Sequence, residues 1–197
     1  MRLIQNGFMT NLEPYGLERL EVVHGPASVI YGQAAPGGIV NAVTKRPRAG
    51  QRNEVGVEFG SHQRRQATAD VGGALNEQGT LLGRLTVLQR KAGTQWDGLR
   101  SDRTFVAPAL TFQGERTSLT LLAQYQKDET GFAIPYWRET PFGEADDSIN
   151  VNGPGSFHRK RSTTVGYLFE HEFSDAFRVR QNLRYLDGEN LRHEMRN

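Results

Sequence analysis

From about residue 54 onward, the sequence alternates between apolar and polar residues, and this period of two constrains the fold more than any other feature. In one such stretch, Phe177, Val179 and Leu183 alternate with Arg178 and Arg180. Because successive side chains of a β-strand point to opposite faces of the sheet, the pattern predicts strands with one apolar face and one polar face. Comparable stretches predict about seven strands, at 54–59, 65–75, 81–90, 106–112, 119–125, 165–173 and 177–185.

The links between these stretches also alternate in length. Short links at 76–79, 114–116 and 174–176 alternate with long ones at 91–102 and 128–162, after a brief first link at 61–64. Bacterial outer-membrane barrels have short turns on the periplasmic side and long loops on the extracellular side. The pattern therefore favours part of a transmembrane barrel, although a soluble antiparallel sheet with one buried face would show a similar alternation.

The composition is compatible with a membrane barrel but does not require one. With 37% hydrophobic and 23% charged residues, the chain resembles an ordinary soluble protein. It contains no apolar run near the ~20 residues of a membrane-crossing helix, whereas a spanning strand needs only about 9–11 residues. The absence of cysteine excludes disulfides and thiolate metal sites. The net charge of +2 comes from scattered basic residues, which gives weak support for nucleic-acid binding.

The residues before residue 48 follow a different pattern, in which two short alternating stretches are separated by glycine and proline. The segments Leu17–His24 and 39–44 each alternate like a strand. Between them, Gly25-Pro26 opens a predicted short helical turn, because the fixed φ of proline suits the first helical position. Gly37-Gly38 then forms a predicted hinge, where a positive φ costs little. This change in the sequence pattern divides the chain into two predicted regions, 1–47 and 48–197.

The segment 17–47 reads LERLEVVHGPASVIYGQAAPGGIVNAVTKRP. In it, a Leu-Glu-Arg strand precedes a Gly-Pro turn that ends in Tyr-Gly, and a Gly-Gly hinge precedes an Asn-containing strand that ends in Thr-Lys-x-Pro. This order and spacing resemble the closing signature of the plug domain in TonB-dependent receptors. The matching positions, for which the resemblance implies structural roles, are Leu17, Glu18, Arg19, Glu21, Val22, Gly25, Pro26, Tyr31, Gly32, Gly37, Gly38, Asn41, Thr44, Lys45 and Pro47.

The resemblance continues through the second region. Glu129-Thr130-Gly131-Phe132 and the stretches 165–173 and 180–184 are similar to parts of the ferrichrome (ferric hydroxamate) receptors within this family. The resemblance implies an all-β fold. Residues 1–47 would form the C-terminal part of a plug domain, and 48–197 would form the first seven or so antiparallel strands of a transmembrane barrel. A complete barrel of this family has about 22 strands.

The same resemblance implies a receptor in the outer membrane of a Gram-negative bacterium, surrounded by lipid and lipopolysaccharide. Such a receptor binds a ferric siderophore, here by preference a hydroxamate, and imports it with energy from TonB, which would bind a segment that we expect this chain to lack. Iron would enter only as the chelate, so the resemblance implies neither a cofactor nor an enzymatic activity. The alternatives are a receptor for a catecholate siderophore, haem or cobalamin, and a truncated receptor without function.

Four aromatic residues are candidates for the substrate pocket. They are Phe8 in the first region and Phe132, Tyr136 and Trp137 in the longest link. The resemblance implies this role because ferrichrome receptors line their pocket with aromatics from the plug apex and from the loop after the Glu-Thr-Gly stretch. The match is incomplete, since the family tends to place aromatics at the positions of Ala133 and Pro135. The alternative is that these rings pack on neighbouring loops or at the membrane interface.

Other functional classes find little support in the sequence. Gly32 and Gly37 have the spacing of a phosphate-binding loop, but no lysine follows them. The sequence Glu170-His171-Glu172 is better explained as the end of a strand than as a metal site. The basic clusters at 64–65 and 159–161 lack interleaved aromatics, which argues against nucleic acid. On the outside of a barrel, they could contact the phosphates of lipopolysaccharide.

The charged residues of the first predicted strand have two possible roles. They could form ion pairs with charges on the polar face of the second region, or they could simply face water. The residues of the first strand are Glu18, Arg19 and Glu21, and the possible partners include Glu58, Arg84 and Arg178.

Overall fold

A computed structural model describes residues 12–24, 38–96, 98–131, 139–140, 143–144 and 155–193. Most of them are in antiparallel strands. The strands are β1 Leu17–His24, β2 Gly38–Thr44, β3 Glu54–Gly60, β4 Arg64–Ala74, β5 Leu81–Lys91, β6 Ser101–Gln113, β7 Thr117–Thr130, β8 Glu139–Thr140, β9 Gly143–Glu144, β10 Phe157–Ser174 and β11 Phe177–His193. No helix in these ranges is long and apolar enough to cross a membrane.

The main sheet is a meander of seven strands in the order β3-β4-β5-β6-β7-β10-β11, which confirms the predicted all-β architecture. The two-residue strands β8 and β9 pair only with each other, within the connection between β7 and β10. The links at 75–80, 114–116 and 175–176 are short, and those at 92–100 and 131–156 are long. The alternation of link lengths in the sequence is therefore present in the structure.

The two faces of the main sheet differ in chemistry. The strand register places Leu110, Leu121, Tyr167 and Leu183 in one row across β6, β7, β10 and β11. This row belongs to an apolar face that we call the open face, which also carries Val57 and Phe169, as the alternation predicts. Exposed apolar side chains on it include Val55, Val57, Phe59, Leu110, Phe112, Leu121, Val165, Leu183 and Tyr185. The opposite face, which carries Arg178, Arg180 and Arg184, is called the covered face.

The N-terminal segment, residues 12–24 and 38–53, contacts the covered face through the turn at its start and through the residues that follow β2. It begins with a 3-10 turn at Pro14–Gly16, where the Glu13 carboxylate accepts a hydrogen bond of 2.9 Å from the Tyr15 N–H. Strands β1 and β2 follow as an antiparallel pair. Gly16 is buried directly beneath the ring of Phe105, which is 1% exposed.

The side chains between the N-terminal segment and the sheet are mostly polar. Two apolar residues of the covered face are fully buried near the segment, Leu88 and Phe105. They are accompanied by buried polar side chains, which include Glu13, Asp70, Thr86, Gln126 and Asp128. Because buried charge is costly unless it is paired, the pairing of these residues decides how the segment is held.

Candidate functional site

A first cluster of charges surrounds Asp70 on β4. The Arg84 guanidinium on β5 donates two hydrogen bonds to this carboxylate, from Nε at 2.8 Å and from an Nη at 2.7 Å. The Thr86 hydroxyl lies 3.3 Å from the same carboxylate. The two-point contact of a planar guanidinium with a carboxylate is among the strongest hydrogen-bonded arrangements in proteins. Asp70 and Arg84 therefore form a rigid pair within the sheet itself.

The N-terminal segment adds its own charges to this Asp70 cluster. Lys45 Nζ lies 2.6 Å from an Asp70 carboxylate oxygen and 4.2 Å from the centre of the Tyr15 ring. Arg84 also donates a hydrogen bond of 2.9 Å to the carbonyl oxygen of Arg46, and its guanidinium lies 3.6 Å from Glu18. The end of β2 is thus fastened to β4 and β5 through side chains and through the backbone.

A second cluster surrounds Arg103 on β6. Its guanidinium lies 2.6 Å from the Glu13 carboxylate of the N-terminal segment and also pairs with Asp128 on β7. The Gln126 amide donates a hydrogen bond of 2.7 Å to the other Asp128 oxygen. These side chains are almost fully removed from water. The Arg103 cluster therefore joins the turn at Pro14–Gly16 to a second point on the same covered face.

The two clusters complement the charge of the sheet. Across the covered face, the register aligns Arg90, Arg103, Asp128 and Lys160 in one row, which carries more positive than negative charge. The N-terminal segment supplies Glu13 to this row, and it supplies Lys45 to the carboxylate of Asp70. A shift that moved Glu13 to Asp70, or Lys45 to Arg103, would bring like charges together. Because like charges repel at these distances, the charge pattern disfavours such a shift of the segment.

Little space is left between the segment and the sheet. A cavity of about 20 Å³ lies beside Gly16, Lys45, Thr86, Gln124 and Arg184. A single water needs a cavity of roughly 10–15 Å³, so this space has room for about one. Within the described ranges, no group of three or more His, Asp or Glu side chains is placed to hold a metal ion. The ion pairs and the small cavity are suited to positioning the segment on the sheet.

One charged residue of β1 reaches the main sheet, and the other two pair with each other. Glu18 lies 3.0 Å from Arg48 as well as 3.6 Å from Arg84, so it reaches a partner suggested by the sequence. Arg19 and Glu21 instead pair with each other at 2.5 Å. Hydrogen bonds from Arg19 and then from Asn41 lower the pKa of Glu21, which keeps this carboxylate ionised. The pairing of β1 with β2 is thus supported by a local network of charges.

The substrate-pocket candidates Phe8, Phe132, Tyr136 and Trp137 lie outside the described residues, and their role stays a prediction. The same holds for the signature positions Gly25, Pro26, Tyr31, Gly32 and Gly37. Of the remaining ones, Gly38 begins β2, and Asn41 and Lys45 make the contacts given above. Sequence reasoning missed three residues of the main sheet, Asp70, Arg103 and Asp128. For Asp70 the available signal was a charge in the middle of a strand, on the polar face, whereas Arg103 and Asp128 are each the third residue from one end of a strand.

Sequence comparison finds that the chain is similar to receptors of the outer membrane. Residues 2–39 match the model of the TonB-dependent receptor plug domain. The chain is 34% identical over 190 residues to the ferrichrome outer membrane transporter/phage receptor of Escherichia coli, covering 90% of this chain and 25% of that protein. It is 35% identical over 183 residues to the ferrioxamine B receptor of Salmonella typhimurium, covering 89% of this chain and 26% of that protein. The chain thus spans about a quarter of the length of these relatives.

Solved structures share the fold. The ferric-catecholate import receptor of E. coli in its open form superposes with a TM-score of 0.80 at 23% identity, over 91% of this chain and 30% of that one. The pyoverdine outer membrane receptor of Pseudomonas aeruginosa also gives 0.80, at 22% identity, over 91% of this chain and 27% of that one. Residues 2–39 thus match the plug domain of TonB-dependent receptors, and the chain as a whole is similar in sequence and in fold to outer-membrane siderophore receptors.

Proposed function

We propose that the chain forms the junction of plug and barrel in an outer-membrane receptor that imports ferric siderophores, with hydroxamate chelates as its preferred substrates and TonB as its source of energy. One observation carries the proposal. The described part of the plug match, residues 12–24 and 38–39, and the residues that follow it contact the covered face of an amphipathic sheet, and the ion pairs of Glu13 and Lys45 hold them there. A plug seated inside a barrel requires this arrangement, with the apolar face outward.

The open face has the dimensions of a lipid-facing surface. From Val106 to Phe112, β6 presents alternate apolar side chains over about 20 Å, at roughly 3.3 Å per residue. The apolar band of outer-membrane barrels is about 25 Å tall. Such a surface exposed to water would favour aggregation, whereas in a bilayer it is stabilised. We therefore place β3–β7, β10 and β11 across the membrane.

Aromatic rings mark one edge of this band. Phe173 and Phe177 flank the short link at 175–176, with their ring centres 5.6 Å apart. His171 packs edge-on against Phe173 at 4.3 Å, and its Nδ1 lies 2.8 Å from the Thr117 hydroxyl. Outer-membrane barrels carry an aromatic girdle at each interface, and short turns lie on the periplasmic side. We infer that this edge faces the periplasm.

The proposed domain boundary follows Pro47, so that 1–47 belongs to the plug and 48–197 to the barrel. Strand β2 ends at Thr44 and β3 begins at Glu54. Within the connection between them, the Asn53 side chain accepts a hydrogen bond of 2.8 Å from the Gly72 N–H on β4. This connection would fasten the plug to the first barrel strands.

The substrate class rests on the sequence relatives. Two of them are named as receptors for ferrichrome and for ferrioxamine B. The Glu129-Thr130-Gly131 stretch also resembles the ferrichrome receptors, whose substrate is a ferric hydroxamate. A catecholate is the second candidate, because a structural relative is a ferric-catecholate import receptor. Energy from TonB and the surrounding lipid and lipopolysaccharide follow from the proposed family role.

Growth under iron starvation tests the proposal. A receptor of full family length that carries this segment should support growth of receptor-deficient cells on ferrichrome or ferrioxamine B, and growth should disappear in cells that lack TonB. Growth only on a catecholate chelate would replace the substrate class but leave the import function. If the receptor is present at normal surface abundance and growth on these chelates does not depend on it, the proposed import function is contradicted.

The pocket prediction can be tested in the same receptor. Tyr136→Ala and Trp137→Ala should each weaken siderophore binding by about tenfold to a hundredfold, because a large ring buried on a ligand contributes ~1.5–3 kcal/mol. The measurement is the affinity for the ferric chelate, with surface abundance determined in parallel. An affinity within twofold or threefold of the original, at unchanged abundance, would remove these residues from the pocket.

A further inference from the structure

We propose that the two charged clusters allow the plug to leave the barrel wall, formed here by the main sheet, and to redock without stranding Asp70 or Arg103. Each of these two wall charges pairs with an ion of the plug and also has a counter-ion of its own within the wall. The proposal rests on the proposed function, because a plug that fills the barrel must move to let a chelate pass. It adds a reason why a contact between buried ions can be reversible.

The Asp70 cluster shows the first wall pair. Asp70 and Arg84 belong to neighbouring strands and make their two hydrogen bonds without help from the plug. Their side chains are only 7% and 9% exposed. Lys45 joins this pair as a third charge. When Lys45 leaves, Asp70 keeps its two-point contact with Arg84, and the departing ammonium is solvated by water.

The Arg103 cluster repeats the arrangement with the signs reversed. Arg103 and Asp128 are directly opposite each other on β6 and β7, and they are paired through their side chains. The Gln126 amide also holds Asp128 in place. Glu13 is the third charge, this time an anion. When Glu13 leaves, Arg103 keeps Asp128, and the departing carboxylate is solvated by water.

This arrangement differs from a simple lock between plug and wall. Separating a buried pair of opposite charges normally leaves an uncompensated charge inside the protein, which is what makes the loss of one partner so costly. Here the net charge of each wall pair, Asp70 with Arg84 and Arg103 with Asp128, is zero without the plug. Detachment therefore leaves both wall pairs neutral, and the plug charges return to water.

The proposal predicts an asymmetry between substitutions on the two sides of the contact. Lys45→Met leaves the neutral Asp70–Arg84 pair and should loosen the plug only slightly. Asp70→Asn leaves two cations, Lys45 and Arg84, side by side, with Glu18, which Arg48 shares, as the remaining carboxylate near Arg84, and should loosen the plug strongly. The second cluster offers a matched pair, in which Glu13→Gln should be mild and Arg103→Met, which leaves Glu13 beside Asp128, should be severe.

Loosening can be measured by the chemical accessibility of the plug. The chain has no cysteine, so Thr44→Cys at the end of β2 provides a unique thiol within it. In the full-length receptor in outer membranes, we expect Asp70→Asn to raise the rate of maleimide labelling at this thiol at least tenfold above Lys45→Met. Labelling requires no siderophore, so the result is independent of which chelate is imported.

A double variant keeps the test decisive if Asp70→Asn accumulates poorly. Lys45→Met combined with Asp70→Asn removes one of the two opposed cations and should restore both abundance and slow labelling to within about threefold of Lys45→Met alone. Equal labelling of the two single variants would overturn the proposal, since Lys45 and Asp70 would then form a simple lock. Failure of the double variant to recover would overturn it as well.

Discussion

Replacing Leu183 by arginine should sharply reduce the amount of folded receptor in the outer membrane. Leu183 lies on the open face of β11, in the row that contains Leu110 and Leu121, and its side chain is 59% exposed. In the proposed orientation this row is near the middle of the apolar band. An arginine on the lipid face of a barrel costs about 2–4 kcal/mol at the bilayer midplane, a large share of the net stability of an ordinary domain.

The neighbouring position supplies the matched control. Asn182 precedes Leu183 on the same strand and points to the covered face, where Arg180 and Arg184 already lie. The same substitution there, Asn182→Arg, introduces an identical side chain into a polar environment and should change stability by less than about 1 kcal/mol. Heat-modifiable gel migration and urea unfolding in lipid vesicles give the two measurements. Equal losses for both variants would show that the open face does not face lipid.

The strands and their faces were predictable because the contrast between the two environments repeats every second residue. Leu183 and Arg184 are adjacent, yet one belongs to the apolar face and the other to the polar face. A register error of one residue would exchange them, and it would place several charged side chains on the apolar face at once. The alternation in the sequence therefore determines the register almost without reference to the rest of the molecule.

The partners of the buried charges were not predictable in the same way. Asp70 is on the polar face by its place in β4, but its position in the strand does not reveal that Lys45 and Arg84 will reach it. Glu13 and Arg103 are 90 residues apart, and only the docking of the N-terminal segment brings them together. A period of two gives the face of a residue, whereas its partner depends on how the segment crosses that face.

Local competition explains the remaining differences. Arg19 and Glu21 are two residues apart on β1, so their side chains share a face and pair at once. A partner on the sheet would have had to displace this contact. The 3-10 turn at Pro14–Gly16 was also missed, although Glu13 before a proline is a reasonable start for such a turn. Three residues are too few to show any helical periodicity.

Gly16 packs directly against the ring of Phe105 on the sheet, and a side chain there should unseat the N-terminal segment. A Cβ atom built on Gly16 would lie 2.9 Å from Cε1 of Phe105 and closer still to its Cζ, well inside normal contact. Phe105 is 1% exposed, so its ring has little room to move away. Gly16→Ala should therefore destabilise the docked segment by about 1–3 kcal/mol, the usual cost of overpacking.

A compensating change distinguishes this clash from a backbone requirement. Shortening the ring in the double variant Gly16→Ala with Phe105→Leu removes the atoms that the new methyl group would meet, and it should recover much of the lost docking. Phe105→Leu alone serves as the control, because it opens a small cavity beneath an unchanged Gly16 and should cost about 1 kcal/mol or somewhat more. Protease resistance of the plug in the folded receptor reports docking in all three variants. If Gly16→Ala remains as sensitive to protease with the shortened side chain as with the ring, the contact with Phe105 is not the reason for glycine at this position. Recovery in the double variant would show that the close approach of Gly16 to Phe105 sets how deeply the plug is seated, and hence whether Glu13 and Lys45 can reach their partners on the wall.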